Sequence, residues 1–148
     1  MIKIQQHDFN AGEEIRKLQN RAANVGAVAT FIGLVRNFEG HEPLDKLILE
    51  HYPGMTENRL RAILSEAESR WSLLGTQVIH RIGELSVGEQ IVFVGVASEH
   101  RQDAFQACEF IMDFLKTDAP LWKKVLTKNG EHWVEAKSSD TKAAAKWY

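Results

Sequence analysis

The feature that most constrains the fold of this chain is a nearly continuous apolar run from Ala27 to Val35. The run is short and rich in β-branched and aromatic residues, a composition typical of a strand covered on both faces. We therefore predict that it is a central strand of a sheet. The polar segment 36–43 contains glycine and proline and predicts a loop. Arg36 consequently stands where a buried strand opens into a loop, which suits ligand contact, although solvation alone also explains a loop arginine.

Hydrophobic periodicity divides the rest of the chain into helices and further strands. Apolar residues at helical spacing predict helices that begin near residues 11, 55 and 101, the last of which ends near 117. Strand patterns occupy residues 2–7, 44–52, 77–83, 90–97, 121–126 and 132–136. The turn-rich link 84–89 is too short for a parallel crossover, so the strands on either side of it are expected to be antiparallel neighbours. Residues 128–131 predict a hairpin turn, and a short helix in the tail is expected to be ordered only if Trp147 and Tyr148 dock.

Composition limits the size of the fold and the class of ligand. With 148 residues, 44% of them apolar, we expect a single domain over residues 1–148 with a short tail from about 138. A formal net charge of -2 argues against a general nucleic-acid binder and favours a small anion as ligand.

No stretch approaches the roughly 20 apolar residues of a membrane span and no targeting pattern is seen, so a cytoplasmic location without membrane contact is expected. One cysteine cannot form an intrachain disulfide, and the six histidines lack ligand spacing, so we predict neither a metal nor a cofactor.

Basic side chains lie at both ends of the helix predicted over residues 101–117. His100 and Arg101 stand at its start, where backbone N–H groups would add to their own donors for an anion. Solvated polar residues at a helix start explain the same pair equally well. Lys116 lies in the last turn, where the helix dipole favours a cation and Asp113 is spaced to pair with it. A lysine at the lip of a cleft can also transfer protons, so both interpretations stay open.

Periodicity also limits the remaining candidate residues. Lys123 and Lys124 are consecutive in a predicted strand and point to opposite faces, so only one can share a given cleft. Cys108 lies on the apolar stripe of its helix and is expected to be an inert thiol. His80 and Arg81 are also consecutive in a strand and point apart, which favours a structural or interface role for them.

Taken together, the motifs resemble the large, catalytic subunit of molybdopterin synthase. They occur in family order over about residues 26–135. The matching segments are Gly26 to Arg36, Leu49-Glu50-His51-Tyr52 with Met55, His80-Arg81-Ile82-Gly83, His100-Arg101, Leu115-Lys116, and Pro120-Leu121-Trp122-Lys123-Lys124. So long an ordered set is far more specific than any of its pieces.

The resemblance implies an α+β chain with an α/β hammerhead fold and an additional antiparallel β subdomain. It implies a sulfurtransferase that converts cyclic pyranopterin monophosphate to molybdopterin for molybdenum cofactor biosynthesis. The sulfur would come from the thiocarboxylated Gly-Gly C-terminus of a small ubiquitin-like subunit, in a heterotetramer built on a homodimer of large subunits. Lys116 and Lys123 are implied to be catalytic. The implied substrate-binding residues are Leu34, Val35, Arg36, His100, Arg101, Lys116, Lys123, Lys124 and Val125.

Two features of the residues agree with this implication. A local Arg, His and Lys cluster on a chain of net charge -2 suits a small phosphate-bearing anion. Since the one cysteine is predicted to be buried, the sulfur must come from a partner. The chain departs from the family at Val125, where an acidic residue is usual. That departure keeps open a non-catalytic dimeric scaffold that binds a ubiquitin-like tail, and a phosphate-metabolite enzyme unrelated to sulfur is a third possibility.

Overall fold

A computed structural model describes residues 1–40, 42–134 and 138–148 of the chain. The fold combines helices and strands in similar measure. Its helices are α1 (Ala11–Gln19), α2 (Met55–Arg70), α3 (Arg101–Asp118) and α4 (Ser138–Ala145). Its strands are β1 (Ile2–Gln5), β2 (Ala27–Leu34), β3 (Phe38–Glu39), β4 (Glu42–Pro43), β5 (Lys46–His51), β6 (Gly75–Arg81), β7 (Gly83–Ser86), β8 (Gln90–Ser98), β9 (Leu121–Thr127) and β10 (Gly130–Val134). The predicted α+β class is confirmed.

The first sheet has the strand order β1-β6-β8-β2 and separates two apolar clusters. β1 is parallel to β6, and the other neighbours are antiparallel, which confirms the pairing predicted for the strands around residues 84–89. Successive side chains of a strand point to opposite faces. Val78 and Val94 therefore pack in the cluster that includes α2 and α3, whereas Ile79 and Phe93 pack against Leu18 of α1.

The second sheet has the order β10-β9-β5-β7 and is antiparallel throughout. Its apolar cluster includes Leu47, Leu85 and Val125. The strand β7 lies in the link that we predicted as a turn between β6 and β8. Gly83, with φ of 86°, turns the chain out of the first sheet, so β7 pairs with β5 in the second. The short link thus joins the two sheets.

The prediction of a central, fully covered β2 is wrong, because β2 lies at the edge of the first sheet. Within the described residues it pairs with β8 alone, and Phe31, Ile32 and Leu34 are 41%, 37% and 54% exposed. A run of apolar residues predicts a surface that has to be covered. It does not predict whether the same chain or another chain covers that surface. Exposed apolar side chains on an edge strand are typical of a surface that another chain covers.

Other element boundaries differ only slightly from the predictions. Asn10 caps the start of α1, because its Oδ1 accepts a hydrogen bond from the Glu13 backbone N–H at 3.1 Å. β10 begins at Gly130, so its turn is shorter than predicted, and residues 135–136 of the predicted strand lie outside the described residues. No helix in the described part of the chain is long and apolar enough to cross a membrane.

One expected result follows from the packing of α1 on β8. A Cβ added at Gly95 would lie 2.4 Å from Leu18 Cδ1 and 2.8 Å from Phe93 Cε1, inside a closed apolar layer. Overpacking of this kind costs about 1–3 kcal/mol, so Gly95→Ala should lower the free energy of unfolding by that amount in a urea titration. Gly12→Ala, in the exposed first turn of α1, is the control; its Cβ would meet only Asn10 Oδ1, at 3.3 Å, and since alanine favours a helix it should not cause a comparable loss. An unchanged Gly95→Ala midpoint would show that α1 does not rest on β8 as described.

Candidate active site

A cavity of about 660 Å³ opens where both sheets meet the C-terminal end of α3. The first sheet contributes residues of β2, β6 and β8, and the second contributes residues of β5, β9 and β10. The walls are largely apolar and include Phe31, Leu49, Met112 and Leu121. A mostly apolar cleft with a few polar groups is the usual form of a small-molecule site.

Three of the predicted basic residues line this cavity from three separate elements. Lys116 comes from the last turn of α3, Lys123 from β9, and Arg36 from the segment after β2. Leu34 and Val35 line it as well. These side chains are distant in sequence, so their common position depends on the two sheets packing against the same helix.

The strand alternation predicted for β9 is confirmed. Lys123 lines the cavity, whereas the Lys124 Nζ lies 3.3 Å from Glu131 Oε2 and 4.8 Å from the centroid of the Trp133 ring. Val125 is on the same face as Lys123 but is only 3% exposed and packs in the apolar cluster with Leu47. A carboxylate at this position would be costly to bury without a partner, so valine suits the surroundings that this chain provides.

His100 and Arg101 lie at the opposite end of α3 from Lys116. Both are exposed, His100 is the N-cap residue, and its Nε2 is 3.9 Å from Glu99 Oε2. Lys116 is fifteen positions after Arg101 in the helix, and at a rise of about 1.5 Å per residue this is about 22 Å. Neither residue is part of the cavity lining. One chain therefore does not bring all the predicted anion-binding groups together.

His80 is a cavity residue to which the sequence assigned only a structural or interface role. It is 5% exposed and lies on β6, and its neighbour Arg81 points away, as alternation requires. Burial lowers the pKa of His80 from 6.5 to about 4, against the opposing effect of a hydrogen bond to the Arg81 carbonyl. The nearby Lys116 and His51 lower the pKa further. The signal available in the sequence was its spacing of two from Val78, which places it on the face covered by α3.

Asp140 also lines the cavity, and no motif pointed to it. It belongs to α4, which is held in place by the residues that follow. The Trp147 Nε1 donates to Asp113 Oδ2 at 2.7 Å, and the Trp147 ring packs edge-on against Trp71 and Phe110 at 5.5 Å. Of the two residues expected to dock, Trp147 is packed in this way, whereas Tyr148 is 94% exposed. The docking of Trp147 brings an acidic side chain to a cavity that contains basic residues.

The neutral state of His80 predicts a loss of stability in mild acid. Between pH 6.5 and about 4 the unfolded chain binds a proton at His80 that the folded chain does not, so the free energy of unfolding falls as the pH falls. At 1.36 kcal/mol per pKa unit, the loss approaches about 3 kcal/mol near pH 4. Urea titrations at stepwise pH measure it. The His80→Gln variant, which cannot titrate, should show a distinctly flatter dependence, and equal slopes would contradict the prediction.

Cys108 is buried in α3, and its Sγ lies 3.9 Å from the Val94 carbonyl oxygen. Burial raises the pKa of this thiol to about 11, so it stays protonated at neutral pH and is a poor nucleophile. Within residues 1–40, 42–134 and 138–148, no three His, Cys, Asp or Glu side chains are grouped to hold a metal ion.

Comparison with known proteins identifies close relatives over the full chain. A family model described as MoaE protein matches residues 4–118. The molybdopterin synthase catalytic subunit of Pseudomonas aeruginosa is 51% identical over 146 residues, which cover 99% of this chain and 97% of that protein. The protein of the same name from Escherichia coli K12 is 52% identical with the same coverage. Among solved structures, molybdopterin cofactor biosynthesis protein E from Burkholderia multivorans superimposes with a TM-score of 0.84 at 46% identity, covering 99% of this chain and 95% of that one.

Proposed function

We propose, since the chain belongs to the MoaE protein family, that it is the catalytic subunit of molybdopterin synthase and acts as a sulfurtransferase. The observation that carries the proposal is the convergence of Lys116, Lys123 and Arg36 on one cavity. The substrate would be cyclic pyranopterin monophosphate, and the sulfur donor would be the thiocarboxylated C-terminus of a small ubiquitin-like subunit. Relatives with the name of this enzyme cover nearly the whole chain at about half identity.

The cavity supplies the physical requirements of such a transfer. Arg36 offers a planar fork of donors for a phosphate, and two lysine ammonium groups balance the charges of the phosphate and the thiocarboxylate. As the thiocarboxylate sulfur bonds to a substrate carbon, the carbon–oxygen bond at that carbon breaks and Lys116 would protonate the departing oxygen, with Lys123 stabilising the developing charge. Water would then hydrolyse the resulting thioester, which leaves the sulfur on the product and a carboxylate on the partner's tail. Cys108 cannot relay the sulfur, because it is buried and protonated. This supports sulfur delivery by a partner whose tail enters the cavity.

The alternative of a non-catalytic scaffold rested on Val125. That residue lies in the apolar cluster of the second sheet and does not line the cavity. The absence of a carboxylate at position 125 therefore removes no group from the cavity lining. A direct test mixes the purified chain with a thiocarboxylated small subunit and the cyclic pterin and assays the dithiolene product. A scaffold would co-elute with the small subunit and form no product.

We further infer that His100 and Arg101 serve the cavity of a second copy in a homodimer. Within one chain the two residues are about 22 Å from Lys116 along α3, a separation that no side chain spans. Apolar surface on the edge strand β2 supports assembly with another chain. In a two-fold dimer each chain would supply the lysines of one site and the His-Arg pair of the other.

Complementation between inactive variants tests this arrangement. Lys116→Ala and Arg101→Ala are each expected to be nearly inactive alone. After the two are unfolded and refolded together, half of the dimers are mixed, and each mixed dimer has one intact site. Product formation should then recover to roughly one quarter of the native value. Mixing without subunit exchange is the control, and no recovery after verified exchange would contradict a shared site.

A further inference from the structure

His80 is a buried polar residue that also lines the cavity. It lies at the end of β6 on the face covered by α3, and its partner in β8 is Val92. The side chain is 5% exposed, yet it reaches the cavity lining. The same wall carries the apolar Leu115 and Leu121. A polar ring in such surroundings needs hydrogen-bonding partners, because an unpaired buried polar group is costly.

The hydrogen bond at Nδ1 determines the tautomer of this ring. Nδ1 lies 2.8 Å from the carbonyl oxygen of Arg81, and a carbonyl oxygen can only accept. Nδ1 therefore carries the proton, and in the neutral ring Nε2 is a lone-pair acceptor. The two ring nitrogens lie on opposite sides of the ring, so Nε2 is directed away from the Arg81 carbonyl, and the His80 side chain lines the cavity. An acceptor at this point calls for a donor from the facing wall.

A donor on α3, the helix that covers this face of β6, is Lys116. We propose that His80 is a positioning residue, whose Nε2 accepts a hydrogen bond from the Lys116 ammonium group and directs that group toward the reacting atoms. The lysine lies in the last turn of α3, in the same cavity lining, and its charge acts on the imidazole. Burial keeps the imidazole neutral at pH 7, so it accepts a proton without competing for positive charge.

A fixed ammonium group is needed because a lysine has four rotatable bonds and loses much conformational freedom when it is held in one geometry. Loss of the fixed geometry reduces turnover about ten- to hundredfold, while substrate binding changes little. The turnover readout rests on the proposed function; the hydrogen bond itself does not. The other charged or titratable groups around this part of the cavity are His51 of β5, Lys123 of β9, Arg36 after β2 and Asp140 of α4.

A matched pair of substitutions separates positioning from packing. The amide of His80→Asn occupies the place of Nδ1 and retains the bond to the Arg81 carbonyl, but it has no atom at the place of Nε2. The amide of His80→Gln reaches the place of Nε2. We expect His80→Gln to retain most of the native kcat and His80→Asn to lose about ten- to hundredfold in kcat with little change in KM. A purely structural histidine predicts the reverse order, and equal losses or no loss in either variant would also overturn the proposal.

Two further measurements keep the proposal distinct from the proposed function. The first is the reactivity of the Lys116 amine toward acetic anhydride as a function of pH, read by mass spectrometry with the exposed Lys128 as reference. Loss of an acceptor destabilises the charged amine, so the Lys116 curve should move to lower pH in His80→Asn and stay in place in His80→Gln. This shift is expected even if no dithiolene product forms, in which case only the proposed function fails.

The second measurement uses the native chain and needs no variant to fold. In ¹⁵N NMR spectra of histidine-labelled protein at pH 7, the His80 ring should give a protonated Nδ1 and an unprotonated, pyridine-type Nε2. A proton on Nε2 would make it a donor, and a donor cannot receive a hydrogen bond from an ammonium group. That spectrum, or an unshifted Lys116 reactivity curve in a folded His80→Asn variant, would overturn the proposal.

Discussion

Lys116→Ala is expected to reduce kcat for dithiolene formation by roughly 10²–10⁴-fold, the range typical of a lost general acid or base. The fold should be unaffected, because Lys116 is exposed and its removal leaves no core cavity. The measurement is a single-turnover assay with the thiocarboxylated small subunit and saturating cyclic pterin, which isolates chemistry from product release. Full activity in this variant would remove Lys116 from the catalytic site.

Two matched variants define what Lys116 contributes. Lys116→Arg keeps the positive charge but cannot release a proton near neutral pH, so it should stay strongly impaired if Lys116 transfers a proton. Activity close to native in this variant would show that charge alone suffices. Lys128→Ala removes an exposed lysine in the turn between β9 and β10, outside the cavity lining, and should behave as the native chain does.

Arg81→Ala is expected to lower the free energy of unfolding by about 3–5 kcal/mol. The guanidinium is almost fully buried and connects the N-terminal segment to the strand β8. It donates to the Gln6 carbonyl through Nε at 3.1 Å and Nη2 at 2.9 Å, and to the Gln90 carbonyl through Nη1 at 3.0 Å. Nη1 also lies 3.2 Å from Glu89 Oε1. Truncation removes all these donors together with a packed side-chain stem.

Equilibrium unfolding in urea measures this loss, and Arg59→Ala is the matched control. The Arg59 Nη2 is 2.7 Å from Asp118 Oδ2, a shorter ion pair than any that Arg81 makes, but both side chains are more than 40% exposed. An exposed pair contributes about 0–1 kcal/mol, so this substitution should change the midpoint little. If the two variants lost equal stability, burial would not be what makes the Arg81 network important.

The sequence predicted most elements because their periodicity is local. Helix α3, the antiparallel pair β6 and β8, and the opposite faces of Lys123 and Lys124 all follow from spacing along one segment. The position of β2 could not be predicted in the same way. Whether an apolar strand is covered by its own chain or by another depends on tertiary arrangement, which the pattern of β2 does not contain.

The candidate site shows the same division between local and tertiary information. Motifs identified Arg36, Lys116 and Lys123, and the structure brings these three into one cavity lining. The sequence also grouped His100 with them, although His100 lies at the start of the 18-residue helix α3 and Lys116 lies in its last turn. His80 and Asp140 were missed as cavity residues because no local pattern marks them. Each reaches the cavity through packing of distant elements, β6 under α3 and the docking of α4 through Trp147.

Because Cys108 is buried, this chain should contribute no reactive thiol to experiments that follow the transfer of sulfur. The thiol is enclosed in α3 and has a pKa of about 11, so it should resist alkylation by iodoacetamide in the native state at pH 7. In a mixture with a thiocarboxylated partner, any rapidly alkylated sulfur then belongs to the partner or to the product. The rate at which reactive sulfur disappears from the partner can therefore be followed in the working mixture, without removing a cysteine from the catalytic chain.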